Sequence, residues 1–140
     1  MAITGTYISE TDLDDLYGIK NITAWSDLEG GRSRDESRIQ RAINYAESKV
    51  ENLFRRSRYA VPFVQQGGGF DLQLKHWMAA YAGDWMYMNR AIRRGEEEED
   101  RDSAVISAVK AEISSILAGQ GELNLGSRRA KMPNAAFVVT

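Results

Sequence analysis

His76 is the only histidine of the chain and the first candidate for acid–base chemistry. A catalytic histidine needs a carboxylate that orients it and a nucleophile within hydrogen-bonding reach. The nearest ionisable residues on the same predicted helix are Asp71, Lys75 and Asp84, and they do not complete such a set. We therefore expect His76 to lie on a helix surface or in an interface between subunits.

Carboxylates cluster at two places, at Asp12, Asp14 and Asp15 and again from Glu96 to Asp100. Paired carboxylates can exchange protons or bind a cation, but the helix dipole and solvation account for both clusters. Neither cluster has the ligand spacing of a calcium-binding loop. The run Gly67 to Gly69 lacks the Lys-Ser/Thr pair of a phosphate-binding loop, so it is interpreted as a flexible linkage.

The sequence contains no cysteine, which excludes a disulfide scaffold, a cysteine-ligated zinc site and a thiol nucleophile. Together with the incomplete sets above, this predicts that the protein is not an enzyme and binds no cofactor or metal ion. A small enzyme or metal-binding protein is one rival hypothesis. Metal analysis and mutation of His76 would test it.

Length and composition are those of a single globular domain, with 140 residues, 43% hydrophobic and 27% charged. A net charge of −2 provides no overall field that would attract nucleic acid or an anionic membrane. The first ten residues lack the features of a secretory signal, and no window reaches the roughly 20 apolar residues that span a bilayer. We expect the chain to be made in the cytoplasm and to have no membrane partner.

The spacing of apolar residues predicts an all-α fold. A short helix should open at Ser9 or Thr11 and end at Gly18, and residues 19–28 should hold one or two helical turns. Long helices are predicted over about 35–56, 71–94 and 101–118. The expected architecture is a small bundle of two or three long antiparallel helices, crossed by the short N-terminal helix. Residues 1–125 form this domain, and residues 126–140 form an extended C-terminal arm.

The second long helix carries apolar side chains over more than half of its circumference. Two explanations remain open: it is the central helix of the bundle, or part of it is a subunit interface. Aromatic residues are favoured in interfaces, which makes Trp77, Tyr81 and Trp85 the candidates on this helix. A second candidate contact is the apolar end of the arm, which we expect to dock on a neighbour through Phe137, Val138 and Val139.

Basic residues follow the first long helix at Arg55, Arg56 and Arg58. They are candidates for contacts with phosphates of DNA, although compensation of the helix dipole explains them equally well. Neither of the first two long helices, predicted over 35–56 and 71–94, shows a recognition-helix pattern preceded by a tight turn. A small helical DNA-associated regulator is the alternative function, and a salt-dependent gel shift with a sequence preference would support it.

The order of four segments resembles a known kind of phage protein. They are the short helix from Tyr7 to Gly18, the long helix from Ile39 to Phe54, the turn from Arg58 to Phe63 and the aromatic helix from Leu74 to Tyr87. This order is similar to the small protein of Mu-like phages and prophages that is encoded in the head-to-tail gene region. More loosely, it resembles the helical head–tail connector proteins of long-tailed phages.

The resemblance extends over roughly Tyr7 to Leu117, and its most specific part is an Arg-Tyr-x-x-Pro turn formed by Arg58, Tyr59 and Pro62. It implies a non-enzymatic adaptor of the virion that forms a homo-oligomeric ring under the portal protein. Such a ring extends the DNA channel, contacts passing DNA without sequence preference and offers a docking surface to a tail or head-completion protein. The glycine run and the long tail after residue 126 depart from the pattern.

Overall fold

The computed structural model describes residues 3–89 and 103–127, and within them the chain forms five α-helices. These are α1 (Glu10–Tyr17), α2 (Ile19–Ser26), α3 (Glu36–Leu53), α4 (Leu72–Met88) and α5 (Ala104–Leu117). Over the same residues, extended backbone pairs only in isolated bridges and forms no strand. The predicted all-α class is confirmed. None of these helices is long and apolar enough to cross a membrane.

Polar residues begin α1, α3 and α4 close to where the sequence predicted them, whereas α5 begins at Ala104 and not near residue 101. The Asp12 carboxylate accepts the backbone N–H of Ser9 at 2.9 Å, which closes a capping box at the start of α1. The side chain of Asp35 caps α3, and that of Asp71 caps α4. Gly18 ends α1 with φ 95°, a conformation that favours glycine.

The end of α3 differs from its prediction, because the helix stops at Leu53 and not near residue 56. Ser57 closes a turn by donating both its N–H and its hydroxyl to the carbonyl of Phe54. The Phe54 ring is fully buried and stacks on Trp77, with ring centroids 5.8 Å apart. Because this ring is buried, the chain turns towards the core at Phe54, and the helix ends before Arg55 and Arg56.

Helix α4 is the central helix, because it contacts α1, α2, α3 and α5. Small side chains on it let the neighbouring helices approach closely. Burial is continuous along the middle of the helix, from Trp77 to Gly83, and the rest of the chain covers the apolar side chains there. The buried residues of α4 are Leu74, Trp77, Met78, Ala79, Ala80, Tyr81, Ala82, Gly83 and Met86.

Helix α1 approaches α4 closely where the Tyr17 ring lies on Gly83. The Tyr17 hydroxyl donates to the Ala80 carbonyl at 2.9 Å. A Cβ atom at Gly83 would lie 2.1 Å from Cε2 of Tyr17, which is far inside van der Waals contact. Glycine is therefore required at this crossing.

A buried carboxylate fastens the N-terminal segment to α3. Glu47, only 7% exposed, accepts the backbone N–H groups of Thr6, Tyr7 and Ile8 at 3.0, 2.7 and 3.0 Å. The Tyr7 hydroxyl donates to Glu51 at 2.6 Å and accepts the Phe63 N–H at 3.0 Å. This hydroxyl therefore joins the first residues of the chain to the connection between α3 and α4.

Two arginines near the start of α3, Arg34 and Arg38, connect this end of the helix to other helices. Arg34 contacts Glu10 and Asp14 of α1, each at 2.8 Å. Arg38 lies over the Trp85 ring at 5.0 Å and donates to the Met86 carbonyl at 3.1 Å. The start of α3 is therefore tied to α1 and to the last turn of α4.

Candidate assembly surfaces

Arg58 and Tyr59, named the Arg58 clasp here, hold the residues that follow α5. The Arg58 guanidinium donates to the carbonyls of Ile116, at 3.4 Å, and Gly121, at 2.7 Å. Ile116 lies in the last turn of α5, where a cation complements the helix dipole, and its carbonyl also accepts the Gly119 N–H at 3.0 Å. The same guanidinium lies over the Tyr59 ring, 4.8 Å from its centroid. The Tyr59 hydroxyl accepts the Leu123 N–H at 2.7 Å.

Beyond the clasp, residues 123–127 run antiparallel to the connection between α3 and α4. Ala60 donates its N–H to the Gly126 carbonyl at 3.0 Å, and Gly126 donates to the Val64 carbonyl at 2.7 Å. Leu123 and Leu125 are each 5% exposed and belong to the core. The chain therefore stays anchored as far as residue 127, and the sequence analysis did not foresee this burial.

Asn124 also fixes the triple-glycine stretch. Its N–H donates to the Asp71 carboxylate at 2.7 Å, and its side-chain amide donates to the Gln66 carbonyl at 3.0 Å. Gly67 and Gly69 both have positive φ, which lets the backbone turn between these two anchors. The glycine run thus serves as a turn fastened at both ends.

The three predicted phosphate-contacting arginines separate into two kinds. Arg55 and Arg56 are exposed just after α3, and Arg55 donates to the Asn52 side chain at 2.8 Å. Arg58 is committed to the clasp through its carbonyl contacts. All three side chains are exposed, but the Arg58 guanidinium is used for the carbonyls of Ile116 and Gly121.

The predicted aromatic interface on α4 has to be revised. Trp77 is fully buried, and its indole N–H donates to Glu112 of α5 at 2.8 Å. Tyr81 is 5% exposed, so both residues belong to the core and offer no accessible face. Trp85 is half-buried beneath Arg38. The other predicted interface residues, Phe137, Val138 and Val139, lie outside the described residues, as does the acidic run from Glu96 to Asp100.

His76 lies in an open groove between α1 and α4, named the Leu72 surface here, with a volume of about 250 Å³. The side chain of Leu72 is 80% exposed at this surface. Over residues 3–89 and 103–127, no group of three or more His, Asp or Glu residues could hold a metal ion. The Leu72 surface includes Asp12, Asp15, Leu16, Leu72, Lys75 and His76.

A second groove, named the Ile19 groove here, lies between α2 and the loop that follows it. Its volume is about 420 Å³, and the Ile19 side chain is 67% exposed at its wall. The Asp27 carboxylate in this groove accepts backbone N–H groups from Glu29 and Arg32. Arg32 has φ 64°, which is uncommon for a residue with a side chain. The Ile19 groove includes Ile19, Lys20, Thr23, Ala24, Asp27 and Arg32.

Three polar residues that organise the fold were missed by the sequence analysis. Glu47 falls four residues after Ile43 and three before Val50, so its helical position on the buried stripe was a readable signal. Arg34 and Arg38 carry no comparable signal, because their partners lie on other helices. Only the three-dimensional packing brings those partners together.

A scan of known protein families matched none of them, and a search of curated proteins found no significant match.

Proposed function

We propose that the protein is a structural head–tail connector of a phage or prophage. It assembles as a ring between portal and tail and borders the DNA channel. One observation carries this proposal: the most specific residues of the resemblance, Arg58 and Tyr59, build the clasp that anchors residues 121–127. The motif therefore has a mechanical role in presenting the C-terminal arm.

The clasp supports the proposal because it fixes residues 121–127 on the domain. Leu123 and Gly126 form hydrogen bonds with the α3–α4 connection, which fix this part of the chain beside it. The arm, proposed for residues 126–140, then starts from a defined place on the domain, because Gly126 pairs with Ala60 and Val64. It carries Phe137, Val138 and Val139, the side chains proposed to dock on a neighbouring protein.

Several finer features belong to the same proposal. The long helices form an antiparallel bundle, with α1 packed across it, and the protein is non-enzymatic. It is made in the host cytoplasm and located in the virion at the head–tail junction. Its partners are copies of itself, the portal protein and a tail or head-completion protein.

Binding to the portal protein encoded in the same genome tests this function. We expect the full chain to co-elute with assembled portal in size-exclusion chromatography. A chain that ends at Ser127 keeps the clasp but loses the arm, so we expect its binding to fall at least about tenfold, the loss of roughly one well-buried apolar side chain. A full-length variant with Phe137, Val138 and Val139 changed to serine controls for arm length and should bind as weakly as the truncated chain.

Failure of the full chain to bind either portal or tail components would contradict the connector proposal. Equal binding by the full and truncated chains would remove the arm from it. Binding of a specific DNA sequence in place of these proteins would favour the regulator alternative, for which exposed Arg55 and Arg56 are the relevant residues.

A further inference from the structure

One side of α3, named the Arg41 face here, carries positive charge and an exposed aromatic ring. Its members recur three or four residues apart, which places them on one side of the helix over about 16 Å of its length. The side chains of Arg41 and Tyr45 are exposed, and those of Arg38 and Lys49 are half-buried. The Arg41 face comprises Arg38, Arg41, Tyr45 and Lys49.

The carboxylates of α3 lie on other sides of the helix. Glu47 and Glu51 face the N-terminal segment, where they accept hydrogen bonds from its backbone and from a tyrosine hydroxyl. Glu36 precedes Arg38 by two positions, which is about 160° around the helix. The Asp35 carboxylate lies just before α3 and caps it, at 3.2 Å from the Arg38 backbone nitrogen. Charge on α3 is therefore segregated, and the Arg41 face is basic.

Aromatic rings support the cations of this face. The Arg38 guanidinium lies 5.0 Å from the centroid of the Trp85 ring, and the Lys49 amino group lies 6.0 Å from that of Tyr81. Tyr45 lies beside the same tryptophan, with ring centroids 6.1 Å apart. The face therefore has an aromatic centre, formed by Tyr45 and Trp85, with cations on both sides of it along the helix.

These cations have no carboxylate within ion-pair distance among the described residues. The side chains of Arg41 and Lys49 form no hydrogen bond or ion pair within residues 3–89 and 103–127. The Arg38 side chain donates to two backbone carbonyls, at 3.3 and 3.1 Å. Burial lowers the pKa of Arg38, Asp35 opposes this effect, and Arg41 adds to it. An anion bound here would offset the repulsion between the two neighbouring arginines.

An acidic segment of another protein fits this combination better than a nucleic acid does. Aromatic residues and arginine at the centre of a patch, with charged groups around them, are typical of protein interfaces. The backbone of duplex DNA offers phosphates but no apolar group to an aromatic ring. The net charge of −2 opposes a long polyanion, whereas a short segment responds mainly to charges within one Debye length, about 8 Å at physiological salt.

We propose that the Arg41 face binds an acidic segment of a partner protein, with carboxylates at Arg41 and Lys49 and an apolar side chain at Tyr45. Tyr45 is four residues from each cation, so two carboxylates about 12 Å apart would flank one apolar group. Such an interaction goes beyond the connector function, because it does not require the partner to be a virion protein.

Exchange of charges between the face and a synthetic peptide tests this interaction. The probe is a fluorescein-labelled amphipathic helical peptide of about 16 residues, with glutamates towards both ends and leucines between them. A second peptide carries lysine in place of each glutamate. Arg41→Glu combined with Lys49→Glu reverses the charge of the face. Arg55→Glu combined with Arg56→Glu is the matched control, because it changes the net charge equally but lies outside the face.

Fluorescence anisotropy would measure the affinity of each peptide for the full chain. We expect the glutamate peptide to bind the wild type and the control with a Kd of about 0.1 mM, and the reversed face about tenfold or more weakly. The lysine peptide should prefer the reversed face. Tyr45→Ser keeps every charge but removes part of the aromatic centre, so it should also weaken the glutamate peptide, by about fivefold. Thermal melting would verify that the variants are folded.

Absence of glutamate-peptide binding up to about 1 mM would overturn the proposal, as would equal binding to the wild type and the reversed face. An equal loss in the control variant would reduce the effect to net charge and reject the face. Displacement of the peptide by lower concentrations of oligo(dT) or of duplex DNA would assign the face to nucleic acid instead. Portal binding by the full chain is measured separately, so either result can fail without the other.

Discussion

Glu47 is the polar residue on which the N-terminal segment most depends. Its carboxylate accepts three consecutive backbone N–H groups from within an otherwise apolar region. A Cβ atom at Gly5 would lie 2.5 Å from the Glu47 carboxylate, so the segment packs tightly over it. Loss of the charge would weaken the acceptor of the Tyr7 and Ile8 N–H groups, whose hydrogen bonds are buried.

We expect Glu47→Gln to lower the free energy of unfolding by about 1–3 kcal/mol, because the amide has one acceptor oxygen and presents its own N–H groups to donors. Urea denaturation would measure this change. Glu29→Gln, in the exposed loop after α2, is the matched control and should have little effect. Equal stability of the two variants would show that the three hydrogen bonds contribute nothing.

Arg34 makes the stability of α1 dependent on pH. Burial raises the pKa of Glu10, but the Ile3 N–H and the Arg34 guanidinium outweigh burial and hold that pKa below its ordinary value of 4.5. A carboxyl group whose pKa is lowered by folding stabilises the folded state at pH values above the pKa of the same group in the unfolded chain. This contribution is lost as pH falls through the folded pKa.

The cost of Arg34→Gln should therefore depend on pH. We expect the substitution to lower unfolding free energy by about 1–2 kcal/mol at pH 7, and by less as pH falls below about 4. Denaturation curves at several pH values would measure the difference from wild type. Arg41→Gln, at an exposed position of α3, should cost little throughout. A cost for Arg34→Gln that grows in acid would be inconsistent with this reasoning.

At the scale of the helices, the contact between α1 and α4 leaves no room for a side chain at Gly83. The ring of Tyr17 occupies the space beside Gly83, and its hydroxyl bonds to the backbone of the same helix. Burial raises the pKa of Tyr17 above its ordinary value, and the nearby Asp84 carboxylate raises it further. The hydroxyl therefore remains a donor throughout the neutral range.

Gly83→Ala should destabilise the protein although alanine is the better helix former by about 1 kcal/mol. The added methyl group would overlap the Tyr17 ring, and we expect a net loss of about 1–3 kcal/mol in thermal or urea unfolding. Tyr17→Leu combined with Gly83→Ala should cost less than the sum of the single changes, because they share one contact. Gly68→Ala is the control, since a Cβ atom at that position would meet no other atom within 4 Å. Additive costs would argue against the steric explanation.

The sequence indicated where most helices begin but not which surfaces are covered. Caps such as Asp35 and breaks such as Gly18 act locally, so spacing alone reveals them. The burial of Trp77 and Tyr81 depends on the four helices that pack against α4. The spacing of apolar residues within one helix does not show how many other helices contact it. The burial of Leu123 was hidden for the same reason, because its hydrogen-bond partner, Tyr59, lies 64 residues earlier.

At the scale of the whole molecule, Arg55 and Arg56 form one small basic area among the described residues. Arg55 and Arg56 are exposed together after α3, while the chain as a whole carries a net charge of −2. A protein with this balance should bind DNA only weakly and without sequence preference. Such contact suits a channel wall better than a regulator.

Fluorescence anisotropy with random-sequence duplex DNA would test this expectation. We expect weak binding that declines steeply with salt, and a shallower salt dependence, by about two counterions, in Arg55→Gln with Arg56→Gln. Arg41→Gln serves as the control for loss of a single exposed arginine elsewhere. Tight binding to one sequence, retained after both substitutions, would count against the connector and against a role for these residues.

The connection between α3 and α4 receives both ends of the described chain. Phe63 donates to Tyr7 near the beginning, and Tyr59 accepts from Leu123 near residue 127. During synthesis the N-terminal residues leave the ribosome first. The domain therefore cannot complete its core until translation has passed residue 127, and nascent chains released earlier would expose the apolar sites that Leu123 and Leu125 normally fill.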